Sequence, residues 1–143
     1  MSTQAILLPL FVEVILTFLL LFWLAPLRAR DFNAGIARPN NVALREPNWS
    51  PQTLQVGYAY SNQFELPVLF YVLTILEYVT HNAGVLFVAL AWIFVVCRYL
   101  QAFVHVTSNN IRVRGAFFAI AAIVLAIMWA IYIVEVLTAP RPI

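Results

Sequence analysis

The sequence predicts an all-α integral membrane protein: a bundle of four transmembrane helices with both termini on the non-cytoplasmic side. Of its 143 residues, 64% are hydrophobic and only 10% are charged, against about 45–50% and about 25% in a soluble domain. Apolar runs of membrane-spanning length recur at about 5–27, 58–80, 85–105 and 115–138. The arginines are placed unevenly. Arg28, Arg30, Arg38 and Arg45 lie between the first and second runs and Arg112 and Arg114 between the third and fourth, while Arg141 stands alone in the tail. The positive-inside rule puts both arginine-bearing connections in the cytoplasm.

The length accommodates one membrane domain, residues 1–143, with little left over. Every basic residue other than histidine is an arginine, and the net charge is only +2. The charges therefore read as individual contacts and not as a nucleic-acid patch. Cys97, the single cysteine, cannot form an intrachain disulfide and sits mid-span, where it reads as a small hydrophobe.

Span one reads as a retained helix and not as a secretory signal. No basic residue precedes it, its apolar run exceeds the usual 7–15 residues of a signal core, and arginines follow it. It carries one acid, Glu13, and Pro9 near its start. Residues 28–57 are the one long polar segment, and Pro39, Pro47 and Pro51 argue against a long helix there. Span two follows, and His81, Asn82 and Gly84 make a short turn into span three. The span-three helix is expected to run on towards Asn109, and span four to begin near Gly115. Pro140 and Pro142 close the chain.

Residues 92–114 carry the most informative pattern. At 100° per residue from Arg98, Gln101, His105, Asn109 and Arg112 fall within an arc of roughly 80°. In span two, Gln55, Tyr58, Asn62 and Glu65 form a second stripe. With the orientation above, both stripes lie in the cytoplasmic leaflet. An ionised side chain in hydrocarbon costs about 2.5–3.5 kcal/mol, so such residues face a partner or a cavity. Glu65 and Arg98 are thus expected to share one hydrogen-bonded site. The bland alternative is helix-to-helix glue at about 0.6 kcal/mol per hydrogen bond, and it stays open for Asn62 and Gln101 individually. Arginine forks suit carboxylates and phosphates, which favours an anionic ligand for the set. Glu13 is a weaker candidate for the site or for a partner subunit, while Glu77 and Glu135 are expected to reach the outer interface. No metal-ligand spacing, phosphate loop or catalytic triad pattern occurs.

The run Asn62-Gln-Phe-Glu65-Leu-Pro67-Val-Leu-Phe70, followed by a short hairpin and then Arg98-Tyr99-Leu-Gln101 with arginines just beyond, resembles the MAPEG superfamily. These are the membrane-associated proteins of eicosanoid and glutathione metabolism, and the likeness is nearest to a bacterial branch. It implies a homotrimer of four-helix bundles in a bacterial inner membrane, with a site between subunits near the cytoplasmic surface. It also implies that glutathione is the cofactor or co-substrate, held by Asn62, Glu65, Arg98, Tyr99 and Gln101. Tyr58 stands where glutathione users commonly have an arginine, Phe103 and His105 where they have a tyrosine, and Gly115 where one enzyme group has a serine. His105 and Tyr58 join the ligand-binding candidates as this chain's own residues at those positions. Arg114, with Arg112 beside it, matches the thiol-activating arginine and is the catalytic candidate.

Three functional readings follow. The first is a glutathione-dependent transferase or peroxidase acting on lipophilic electrophiles. The second is a non-catalytic protein binding a lipid or amphipathic anion, like the lipoxygenase-activating member of the superfamily. The third is an accessory structural subunit of a larger membrane complex.

Overall fold

The structure, a computed structural model, describes residues 1–140. Arg141 and Pro142, expected in the tail, lie outside the described residues. Six α-helices occur among those described: α1 (Thr3–Asn33), α2 (Pro39–Val42), α3 (Pro51–Ser61), α4 (Leu66–Val79), α5 (Val85–Val106) and α6 (Ile111–Thr138). Three of them, α1, α5 and α6, are long and apolar enough to cross a membrane.

Span two is expected as one continuous helix, and the structure corrects this. A 3₁₀ turn, Asn62–Phe64, separates α3 from α4, and Glu65 leaves helical geometry at φ −99°, ψ −110°. Pro67 explains the break. It has no N–H to give the carbonyl four residues earlier, and its ring would clash with that carbonyl. Two further boundaries differ from expectation. The span-three helix stops at Val106, short of Asn109, which takes a positive φ of 52° in the intervening turn. The Asn110 side chain then accepts from the N–H groups of Arg112 and Val113, so α6 starts at Ile111, before Gly115. Arg112 consequently belongs to α6 and does not extend the stripe of α5.

Helices α1 and α3 extend into the polar 28–57 segment at either end, to Asn33 and from Pro51. Asp31 ties the two together. Its fully buried carboxylate accepts from the Ser50 N–H at 2.9 Å and the Ser50 hydroxyl at 3.1 Å, just ahead of Pro51. Burial raises the carboxyl's pKa, but these bonds, with Thr53 and Arg30, outweigh it and hold Asp31 below the usual aspartate range. Its contribution to folding is therefore present at neutral pH and is lost as pH falls through that lowered value. Asp31→Ala should destabilise by about 1–3 kcal/mol and speed proteolysis within residues 34–50, with the difference from wild type vanishing in acid.

Helix α5 lies at the centre, with α1, α3 and α6 packed on it. Towards the 80–84 turn, Phe70 and Leu73 of α4 meet Phe94 and Ala91 of α5 and Ala121, Leu125 and Met128 of α6. The Phe70 and Phe94 rings stack with centroids 4.7 Å apart. Cys97 belongs to this core, as its apolar reading expects. A second seam joins Leu16 and Leu20 of α1 to Ala59 and Ala102, and Leu24 and Leu27 to Val56. The outward faces of α1 and α6 are apolar, with Phe11, Phe18, Phe22, Ile123, Ile127 and Leu137 exposed. In water such surface would drive aggregation; facing lipid or another subunit it is stable.

Candidate ligand-binding cleft

The break before Pro67 also builds the site. In the 3₁₀ turn the Asn62 carbonyl accepts a backbone bond from the Glu65 N–H at 3.3 Å, and the Arg98 guanidinium donates to the same carbonyl at 2.9 Å. The other terminal N–H group of Arg98 donates to Gln101 Oε1 at 2.7 Å. The Asn62 amide nitrogen stands 3.5 Å from His105 Nδ1. Asn62 of one polar stripe therefore meets Arg98 and His105 of the other by direct contacts.

Arg98 differs from expectation in its acidic partner. Glu13 of α1, and not Glu65, is the nearest carboxylate, with Oε1 4.0 Å from Arg98 Nε. Both side chains are almost wholly enclosed, at 0% and 1% exposure. Neither Glu13 oxygen has a hydrogen-bond partner among the described residues, and Arg98 Nε likewise has none. The pair is held by charge across a short gap in a medium where Coulomb forces are strong. With its two terminal nitrogens occupied and Glu13 beside the third, Arg98 is an internal clamp. It does not line the cleft.

Tyr99 is likewise separate from the cleft. It points the other way, its hydroxyl donating to the Val12 carbonyl of α1 at 2.5 Å. Its place on α5, one residue from Arg98, turns it by about 100° out of the polar stripe.

The cleft itself has a volume of about 390 Å³. Tyr58, Asn62 and Glu65 form one wall, Gln101 and His105 the floor, and Arg114, Gly115 and the apolar Phe118 the other wall. Six of the nine residues expected at the site thus meet here: Tyr58, Asn62, Glu65, Gln101, His105 and Arg114. Arg112 is exposed and lies outside. Arg114 is half-buried, and Asn109 Oδ1 accepts from it at 2.6 Å. The left-handed backbone of Asn109 is what brings its amide to that arginine. Gly115 has no atom within 4 Å of where a Cβ would stand, so the wall beside Arg114 is open.

Two contributions escaped the sequence stripes. Phe118 gives the cleft its apolar end, one turn beyond Arg114, and nothing in a uniformly apolar helix marks it. Glu13 carried a signal, an acid inside an apolar run, but its pairing with Arg98 is a fact of how α1 packs on α5.

A polar cleft carrying Arg114 and Glu65, set into a bundle of long apolar helices whose outer faces are apolar, marks a helical integral membrane protein. Comparison with protein-family profiles matches residues 6–134 to the MAPEG family, and the chain belongs to that family. No curated protein and no solved structure matches it.

Proposed function

We propose that the cleft binds glutathione and that the protein is a glutathione-dependent transferase or peroxidase for lipophilic electrophiles. One observation carries the reading. Arg114, whose guanidinium has a single side-chain partner among the described residues, Asn109, faces a cleft that also offers Asn62, Gln101, His105 and Glu65. An amide, an imidazole and a carboxylate can hydrogen-bond a peptide, and a guanidinium can pair with its carboxylates or stabilise its thiolate. A cation beside the sulfur lowers the thiol pKa, and the thiolate is the nucleophile. The thiol first gives its proton to water at the mouth of the cleft. The thiolate then bonds to the ring carbon of a chlorodinitrobenzene and displaces chloride, or takes the terminal oxygen of a hydroperoxide, breaking its O–O bond. The alkoxide gains a proton from water to leave the alcohol, and a second glutathione converts the sulfenic acid to the disulfide and water. Phe118 and Ile111 give the second, apolar substrate a way in from the bilayer.

In this reading α3 and α4 together make a fourth crossing, the cleft lies at the cytoplasmic leaflet, and both termini lie outside. A homotrimer in a bacterial inner membrane would bury part of the apolar surface of α1 and α6 and close the open side of the cleft. The test is purified protein with glutathione and either chlorodinitrobenzene or a lipid hydroperoxide. Turnover together with a glutathione-induced rise in melting temperature is expected. Absence of both would remove the reading.

A second reading has its own support. Arg98, the arginine expected to grip the ligand, is occupied by Gln101, the Asn62 carbonyl and Glu13. One available arginine is enough to hold an amphipathic anion and weak for orienting a tripeptide. A protein that binds a lipid anion without turning it over would show a co-purifying lipid, lost in Arg114→Ala, and no response to glutathione. Stoichiometric association with other chains in native membranes would instead mark an accessory subunit.

A further inference from the structure

The opposite end of the bundle holds a second polar feature, unconnected to the cleft. Glu77 of α4 was expected to reach the interface, but it is folded inward and only 3% exposed. Its Oε2 is buried without a hydrogen-bond partner among the described residues. The side chain lines a pocket of about 70 Å³ together with Glu135 of α6, Gly84 and the apolar Leu86, Phe87, Leu90, Met128 and Ile131. No arginine or histidine lines the pocket among the described residues.

Two carboxyl groups in one apolar pocket repel each other when ionised, and a buried unpartnered carboxylate is expensive. A compensating cation removes both penalties. Helices α4 and α6 end beside the pocket, and their C-terminal carbonyls add negative potential, against the single N-terminus of α5 at Gly84. The volume corresponds to about two water molecules. It is too small for a folded organic ligand and suits a primary ammonium head, which carries one charge and three donors. The surrounding leucine, phenylalanine, methionine and isoleucine side chains suit an alkyl chain attached to that head.

We propose that Glu77 and Glu135 form a site for a primary ammonium group carried on an apolar chain. Such a group belongs either to a free alkylamine or to an ethanolamine lipid headgroup, which are recognised by the same three donors. The site is independent of the glutathione reading, because it shares no residue with the cleft.

The test uses the full-length protein in detergent, with octylamine as probe and octanol as its uncharged control. Octylamine should raise the melting temperature and octanol should not. Glu77→Gln and Glu135→Gln should each weaken octylamine binding about tenfold, the worth of one charge-assisted hydrogen bond. Glu135 is exposed, so its variant keeps the test open where Glu77→Gln fails to fold. Native mass spectrometry then separates the sources. Retention of phosphatidylethanolamine over phosphatidylcholine in wild type, lost in Glu135→Gln, identifies the lipid, whereas an octylamine response without such retention identifies a free amine. Equal responses to octylamine and octanol, no response to octylamine, or an undiminished response in both variants would overturn the proposal.

Discussion

Arg98→Ala should lower the stability of the protein by about 3–5 kcal/mol, the usual result of removing one partner from a buried ion pair. Three losses coincide at this position. Glu13 is left as an uncompensated carboxylate at 0% exposure, the Asn62 carbonyl loses its side-chain donor, and Gln101 Oε1 loses a bond of 2.7 Å. Unfolding in detergent, by heat or by titrated sodium dodecyl sulfate, measures the effect. The double variant Glu13→Leu with Arg98→Met replaces the pair by apolar side chains and should recover the part of the loss that comes from the uncompensated Glu13 charge. A single variant within about 1 kcal/mol of wild type would mean that the pair is a passive ornament of the packing, as small as an exposed ion pair. Glu13→Gln should fall between the two, since it leaves the guanidinium charge without its counter-ion. Because Arg98 also fixes the break that shapes one wall of the cleft, ligand affinity should fall along with stability.

Arg114→Ala should leave the fold intact and reduce kcat/KM for glutathione-dependent turnover about hundredfold, the usual range for removing one donor from a site of developing charge. The accompanying signature is a shift of the pH–rate profile to higher pH, because without the cation the bound thiol ionises closer to its free value. Arg114→Lys should restore part of the rate, since a point charge serves the sulfur though not a bidentate contact. Asn109→Ala tests positioning. It removes the 2.6 Å bond that holds the guanidinium and should raise KM more than it lowers kcat. Arg112→Ala is the control. Its side chain is exposed and outside the cleft, so its rate should stay within about twofold of wild type. Equal losses at Arg112 and Arg114 would point to a general surface charge effect, and the assignment of Arg114 to the thiol would fall.

The sequence alone determined the class of this protein and the neighbourhood of its cleft. Long apolar runs admit no soluble alternative, because their burial in lipid needs no further partner. Arg98, Gln101 and His105 recur at helical spacing, so they had to share a face wherever α5 went. Asn62 and Glu65 precede Pro67 in the chain, and a proline inside an apolar run is a legible warning of a break, although its consequence, a carbonyl within reach of Arg98, is not.

Tertiary packing decided the rest. The stripe was cut at Val106 because the turn through Asn109 and the cap at Asn110 start a new helix, so Arg112 and Arg114 were reassigned to α6 and only Arg114 was turned inward. Tyr99 went to α1 and Arg98 to Glu13 because α1 lies along α5. Glu77 was drawn inside by the approach of α6. Periodicity fixes which residues share a face of one helix; which face meets which neighbour is a property of the assembled bundle, where each buried charge settles beside whatever partner the packing brings within reach.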